Sequence, residues 1–284
     1  MHIRYLLKAI KPGLSKPSVA PGVGKILSRK LHSNPPDAKA VLWLGGTFDP
    51  PHNTHIHLAL AAKQAMQAHE VKFMPVHLAP HKKNITAANH RREMVKLAVE
   101  DHPGLSVDLI EYERNQPSLT ADTIKILRSR HPKTPIGFMI GMDSLLTFTT
   151  WDDWQDILNN AHLVVVDRPN YPLPSIGPTA DLLKKHLDLK LSAIHESLGG
   201  KIFMCPTPLS DLSSTALRQN FASGHIPEDL LPPKVVEYIK SHQLYNVSPA
   251  KVDKPKLLTG YTFFHPPKAL PVNNNVGTAF KNSL

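Results

Sequence analysis

Val41-Leu-Trp-Leu44-Gly-Gly-Thr-Phe-Asp-Pro-Pro-His52-Asn-Thr-His55-Ile-His57 is the stretch that decides how this chain is read. Four apolar residues make a short buried-type strand. Two glycines follow, then an Asp-Pro-Pro turn, then two histidines three positions apart where a helix is due to begin. Glycines at a strand end let backbone approach a ligand without Cβ atoms in the way. A helix start offers unpaired N–H groups and the positive end of its dipole. His52 and His55 add donors that can take a charge. The parts assemble a phosphate pocket in the right order. The plainer reading is an ordinary turn with solvated histidines, since Asp and Pro are common turn residues. A zinc site is weaker still, because His52, His55 and His57 lack the spacing and intervening acid of a His-Glu-x-x-His helix.

Working outward, short apolar runs alternate with longer amphipathic ones. Strands are expected at 41–44, 71–76, 105–110, 136–140, 163–166 and 201–204. Helices are expected at 55–68, 89–100, 120–130, 152–159, 214–223 and 233–242. Ala59, Ala62, Ala65 and Met66 give the first helix a small-residue face suited to close packing on a sheet. The rhythm predicts an α/β, Rossmann-like, doubly wound parallel sheet with helices on both faces. Ligands in such sheets bind at the carboxyl ends of the strands, where the opening motif falls.

The 284 residues are ample for one core and carry a formal net charge of +10. That charge is unevenly placed. Residues 1–39 contain eight Lys or Arg against one Asp, and residues 246–284 contain five Lys against one Asp. Residues 40–245 are therefore close to neutral, with 20 basic and 21 acidic side chains. The reading is a basic, breaker-rich extension over 1–39, a folded domain over 40–245, and an extended or disordered tail over 246–284. An acid-poor leader bearing Arg is also what a mitochondrial transit peptide looks like, so a matrix location stands as the alternative to a cytoplasmic one. No nucleic-acid-binding motif supports a nucleic-acid partner, and no apolar run reaches membrane-span length. The lone Cys205 excludes an intramolecular disulfide and fits a reducing compartment.

Gly45-Gly-Thr-Phe-Asp-Pro-Pro-His52-Asn-Thr-His55 resembles the signature of nucleotidylyltransferases, and more narrowly that of bacterial nicotinate-nucleotide adenylyltransferases. The second hallmark of that family is matched by Leu212-Ser-Ser-Thr-Ala-Leu-Arg218. Between the two stand Pro80-His-Lys82, Pro117-Ser-Leu-Thr-Ala-Asp-Thr123, Gly141-Met-Asp-Ser144 with Trp151, and Arg168-Pro-Asn-Tyr-Pro172. The resemblance covers 41–245. It implies attack by a nucleotide 5′-phosphate on the α-phosphorus of ATP, with pyrophosphate leaving. Mg²⁺ is expected as the cofactor, held mainly by phosphate oxygens and water, with no protein metal site.

By the same resemblance, His55, His52 and Arg218 are the catalytic candidates. Gly45, Gly46, Thr47, Phe48, Ser213, Ser214 and Thr215 fall on the ATP side. Asp49, His81, Lys82, Thr120, Gly141, Asp143, Trp151 and Arg168 fall on the nicotinate-nucleotide side. The partners implied are ATP and nicotinate mononucleotide, with homo-oligomerisation open. His57 lies outside the motif and reads as a surface or packing residue. Arg91 and Arg92, at the start of a helix against its dipole, read as cations placed near anions. Thr54 stands where the family has Gly, and its β-branch removes space and backbone freedom beside the nucleotide. Leu119 stands for Tyr and Ala79 for Pro. Two alternatives remain: a nicotinamide-mononucleotide adenylyltransferase, or a nucleotide-binding scaffold with impaired turnover.

Overall fold

The computed structural model describes residues 38–79, 84–114, 116–166, 173–206, 214–223 and 225–246. All but residues 38, 39 and 246 of the expected tails, and the candidates His81, Lys82, Arg168 and Ser213, lie outside these residues. Six parallel strands form one sheet in the order β3-β2-β1-β4-β5-β6. They are β1 (Val41–Gly46), β2 (Glu70–Pro75), β3 (Leu105–Val107), β4 (Ile136–Gly141), β5 (His162–Val166) and β6 (Ile202–Cys205). The order reverses between β1 and β4, which pair in parallel from Val41 opposite Ile136 to Leu44 opposite Met139. In open α/β sheets this reversal leaves a crevice at the carboxyl ends, where ligands bind.

Alternation along the strands builds two cores. Leu42, Leu44, Val71, Phe73, Val164 and Phe203 face one way. They pack against α1 (Asn53–Ala65), α2 (Ala88–Val99), α7 (Ser214–Ala222) and α8 (Pro233–Ser241). Val41, Trp43, Ile136, Phe138, Leu163 and Val165 face the other way. Their helices are α3 (Thr120–Arg130), α4 (Met142–Thr147), α5 (Trp154–Asn160) and α6 (Pro178–His186). With both faces covered, the strands read as nearly continuous apolar runs, which is why they stood out in the sequence.

Two expectations are corrected. The strand expected over 105–110 ends at Val107 and turns into a 3₁₀ segment, Ile110–Glu113. Asp108 causes the break. Its Oδ1 accepts from the Ile110 N–H at 3.0 Å, and its Oδ2 accepts from the Trp43 indole at 2.8 Å. A carboxylate that bonds the backbone two residues on competes with the ladder. Helices α4 and α6 were absent from the sequence reading: α4 is only six residues long and α6 nine, and α4 starts directly from the end of β4. Among the described residues no helix is long and apolar enough to cross a membrane.

Candidate active site

β1 runs out into a loop that folds back on itself before α1. Phe48 takes a left-handed backbone, φ 49°, and its ring returns over the end of the strand. A Cβ on Gly46 would sit 2.9 Å from that ring, and one on Gly45 would sit 3.2 Å from Phe138. A side chain at Gly46 would displace the Phe48 ring, and one at Gly45 would crowd Phe138, so two phenylalanine rings favour the glycine pair. Phe48 in turn meets the His55 ring edge-on at 5.0 Å between centroids and packs on Phe73 at 5.4 Å. His52 lies on His55 with centroids 3.7 Å apart.

His52 is the N-cap of α1 and is almost fully buried. Its backbone N–H donates to Nδ1 of His55 at 3.2 Å. That acceptor role assigns the proton of a neutral His55 to Nε2, since one ring nitrogen accepts only if the other holds the hydrogen. The first turn of α1 contains no acid, so its own sequence does not offset the positive end of the helix dipole. Thr54 lies inside this first turn and is not among the residues with positive φ. The backbone here has no need of glycine, so the freedom expected to be lost at Thr54 is not used. His57 is exposed on the same helix, as expected for a residue outside the motif.

The loop is tied down by side chains from distant segments. Arg91 donates from Nη1 to the Thr47 carbonyl at 3.0 Å. Arg218 donates from Nη1 to the Asp49 carbonyl at 2.8 Å, and Ser214 Oγ donates to the Pro50 carbonyl at 3.0 Å. The start of α7 is thus brought to the loop beside the start of α1. Arg218 also donates from Nη2 to Thr215 Oγ1 at 3.2 Å. With those carbonyls bonded from within, what the loop region offers a ligand is a set of donors: the histidines, the helix starts and the rest of the Arg218 guanidinium.

Two residues take roles other than those expected. Arg91 is 1% exposed and gathers four carbonyls, those of Thr86, Thr47, Val76 and His77. It is a clamp on the loops after β1 and β2, not a cation held out for anions. Asp49, expected on the acceptor nucleotide, is 1% exposed and turned inward. Its Oδ1 accepts from the Tyr245 hydroxyl at 2.6 Å and its Oδ2 from the Thr86 N–H at 3.1 Å. Burial, and then the charge of Asp49, push the Tyr245 phenol well above its usual pKa. Neither Tyr245 nor Thr86 was a sequence candidate, because their partner lies far away along the chain.

Across the crevice, Gly141 closes β4 and is the N-cap of α4, with Asp143 in that helix's first turn. Trp151 follows, half-buried, with Phe148 at 5.5 Å; Trp154 meets the same ring at 5.9 Å. Thr120 is the first residue of α3. Three residues on, the buried Thr123 hydroxyl accepts from Arg114 Nη2 at 2.7 Å and lies 3.2 Å from Glu111 Oε1. Burial raises the Glu111 pKa. An open cavity of about 340 Å³ lies beyond the carboxyl end of β2, with His77, Ile85, Thr86, Ala88, Arg91 and Pro117 in its walls.

A cytidylyltransferase-like family model matches residues 43–220. A protein named "Probable nicotinate-nucleotide adenylyltransferase" from Aeromonas salmonicida is 41% identical over 203 residues, which span 71% of this chain and 95% of the relative. Its namesake in Pseudoalteromonas atlantica is 38% identical over 205 residues, 72% of this chain and 94% of the relative. This chain belongs to the nicotinate-nucleotide adenylyltransferase family. The fold agrees with a solved structure of Plasmodium falciparum nicotinic acid mononucleotide adenylyltransferase complexed with NaAD. That match has a TM-score of 0.58 at 18% identity, covering 75% of this chain and all of the other.

Family membership gives the geometry its chemical frame, and the metal can be tested against it. Among the described residues no three His, Cys, Asp or Glu side chains come together so as to hold an ion. The one carboxylate in the loop, that of Asp49, already has Tyr245 and Thr86. Among the described residues no Mg²⁺ cage is formed; Mg²⁺ is treated below as part of the nucleotide substrate and no step is routed through it.

Proposed function

We propose that the chain carries out its family's reaction, transfer of AMP from MgATP to nicotinate mononucleotide, giving nicotinate adenine dinucleotide and pyrophosphate. A phosphate oxygen of the mononucleotide attacks the α-phosphorus, and the bond to the pyrophosphate oxygen breaks. The nucleophile is already anionic, so the protein's work is to hold two anions in line and to stabilise charge on the α-phosphoryl oxygens. In this reading His55 does so with its Nε2–H, a donor fixed by the bond its Nδ1 receives from His52. His52, its tilted ring 3.7 Å away, keeps the His55 ring in place. Arg218 spends two N–H groups on Asp49 and Thr215 and turns the others to the β- and γ-phosphates. Gly45, Gly46, Thr47 and Phe48 shape the floor of that site, with Ser214 and Thr215 at its side.

The acceptor falls on the opposite lip. The start of α3 at Thr120 suits a carboxylate, Asp143 suits ribose hydroxyls, and Trp151 suits a pyridine ring. A site built from N–H donors discriminates strongly against an amide in place of a carboxylate. The observation that supports the reading most is the His52 N–H to His55 Nδ1 bond at the start of an acid-free helix, because it fixes a donor where an α-phosphate would lie.

Pyrophosphate release with MgATP, offering nicotinate and nicotinamide mononucleotides side by side, tests it. Turnover favouring the nicotinate form is expected, with His55→Ala lowering kcat by roughly a hundredfold or more in the folded protein. Turnover favouring the amide would overturn the acceptor. ATP binding without turnover, recovered by Thr54→Gly, would make the chain a nucleotide-binding scaffold instead.

A further inference from the structure

We propose that Tyr245 is a positioning residue for ATP: its phenol occupies the Asp49 carboxylate and so keeps Arg218 available to the triphosphate. The inference rests on the ATP-side reading above. Tyr245 comes from the 3₁₀ turn Leu244–Asn246, the last described segment of the chain. Its ring is stacked on Phe221 of α7, 4.9 Å between centroids and 20° between planes. Its hydroxyl donates to Asp49 Oδ1 at 2.6 Å. Three segments far apart in sequence therefore meet behind the nucleotide loop, and α7 is the helix that bears Arg218.

The charge arithmetic makes this more than packing. Asp49 is buried, and two arginines hold the main chain around it. Arg91 is committed to four carbonyls. Arg218 already touches the Asp49 main chain at 2.8 Å. A buried carboxylate that loses a donor draws on the nearest cation able to turn to it. With the phenol gone, that cation is Arg218, and each N–H it gives to Asp49 is one lost to the β- or γ-phosphate. The phenol satisfies the carboxylate without spending a positive charge.

The test is Tyr245→Phe in the full chain, which keeps the ring on Phe221 and removes one oxygen. The Kd of a non-hydrolysable ATP analogue and the KM for ATP are expected to rise about tenfold, while the KM for the acceptor stays within about twofold. Adding Asp49→Asn, which removes the charge that captures Arg218, should recover most of the loss. Unchanged ATP affinity with only a lower melting temperature would overturn the proposal, since a merely structural phenol gives that result. Weakened ATP binding that Asp49→Asn fails to recover would also overturn it. Should Tyr245→Phe be too unstable to assay, the double variant is compared with Asp49→Asn alone; equal ATP affinity is expected, and a further loss overturns the proposal. A wild-type chain that binds no ATP overturns the functional reading and this inference together. A competent wild type with an indifferent Tyr245→Phe overturns the inference alone.

Discussion

The two ends of the sheet use the same device for different purposes. At the carboxyl end Arg91 gathers the carbonyls of Thr47, Val76, His77 and Thr86. At the amino end Arg128 gathers those of His131, Thr134, Asn160 and Leu198. Each is a guanidinium placed where several loops converge and their acceptors need donors. One guanidinium replaces several separate turn bonds. Among the described residues the carboxyl end also gathers the starts of α1 and α7 with His52, His55 and Arg218, so there loop placement bears on chemistry. An arginine that collects carbonyls in this fold is thus a structural commitment first, and its link to function depends on which end of the strands it serves.

Replacing Arg91 tests the comparison hardest. Arg91→Met should cost on the order of 3 kcal/mol of stability, since four carbonyls lose a charged donor. It should also lower kcat/KM for ATP in the fraction that remains folded, because Thr47 is released. Urea denaturation and steady-state kinetics on the same preparation read both. Arg128→Met should cost a similar amount of stability but leave kcat/KM of the folded protein at the wild-type value. A loss of activity there would erase the distinction between the two ends.

The last effect expected is one of pH, and it belongs to the amino end. His162, the first residue of β5, donates from Nε2 to the Ser197 carbonyl and accepts the Lys201 N–H on Nδ1. Burial lowers its pKa to about 4, with the charges of Lys201 and Arg128 adding to the shift. The fold favours the neutral ring, so this stabilising contribution is complete above the unfolded value near 6.5. It is lost as pH falls from there towards 4, to a total of up to about 3 kcal/mol. Melting temperatures from pH 7.5 to 4.5 should fall less steeply in His162→Gln than in the wild type. Equal slopes would remove His162 as the cause.

The sequence showed most clearly what is local. Val41–Leu44 announced a buried parallel strand, and the helix over 120–130 was placed residue for residue because its apolar period and its two flanks agree. His52 and His55 were legible for the same reason, being three residues apart at a helix start. What depends on distant partners was hidden. Nothing near Asp49 says that its carboxylate ends on Tyr245, 196 positions away. Arg91 reads as a misplaced cation until the carbonyls it collects are known. The glycine pair is legible as a motif, while the Phe48 and Phe138 rings that crowd it are not.

Cys205 closes β6 as the chain's sole thiol, buried, with its pKa pushed up by burial to about 12. A thiol so rarely deprotonated near neutral pH is a poor nucleophile towards alkylating reagents. A cysteine introduced at the exposed Leu78 or Leu119 would therefore be the dominant site of labelling without deleting the native one. The fold thus comes ready for single-probe fluorescence or spin-label experiments, in which motion at the lip of the crevice is followed as nucleotides arrive.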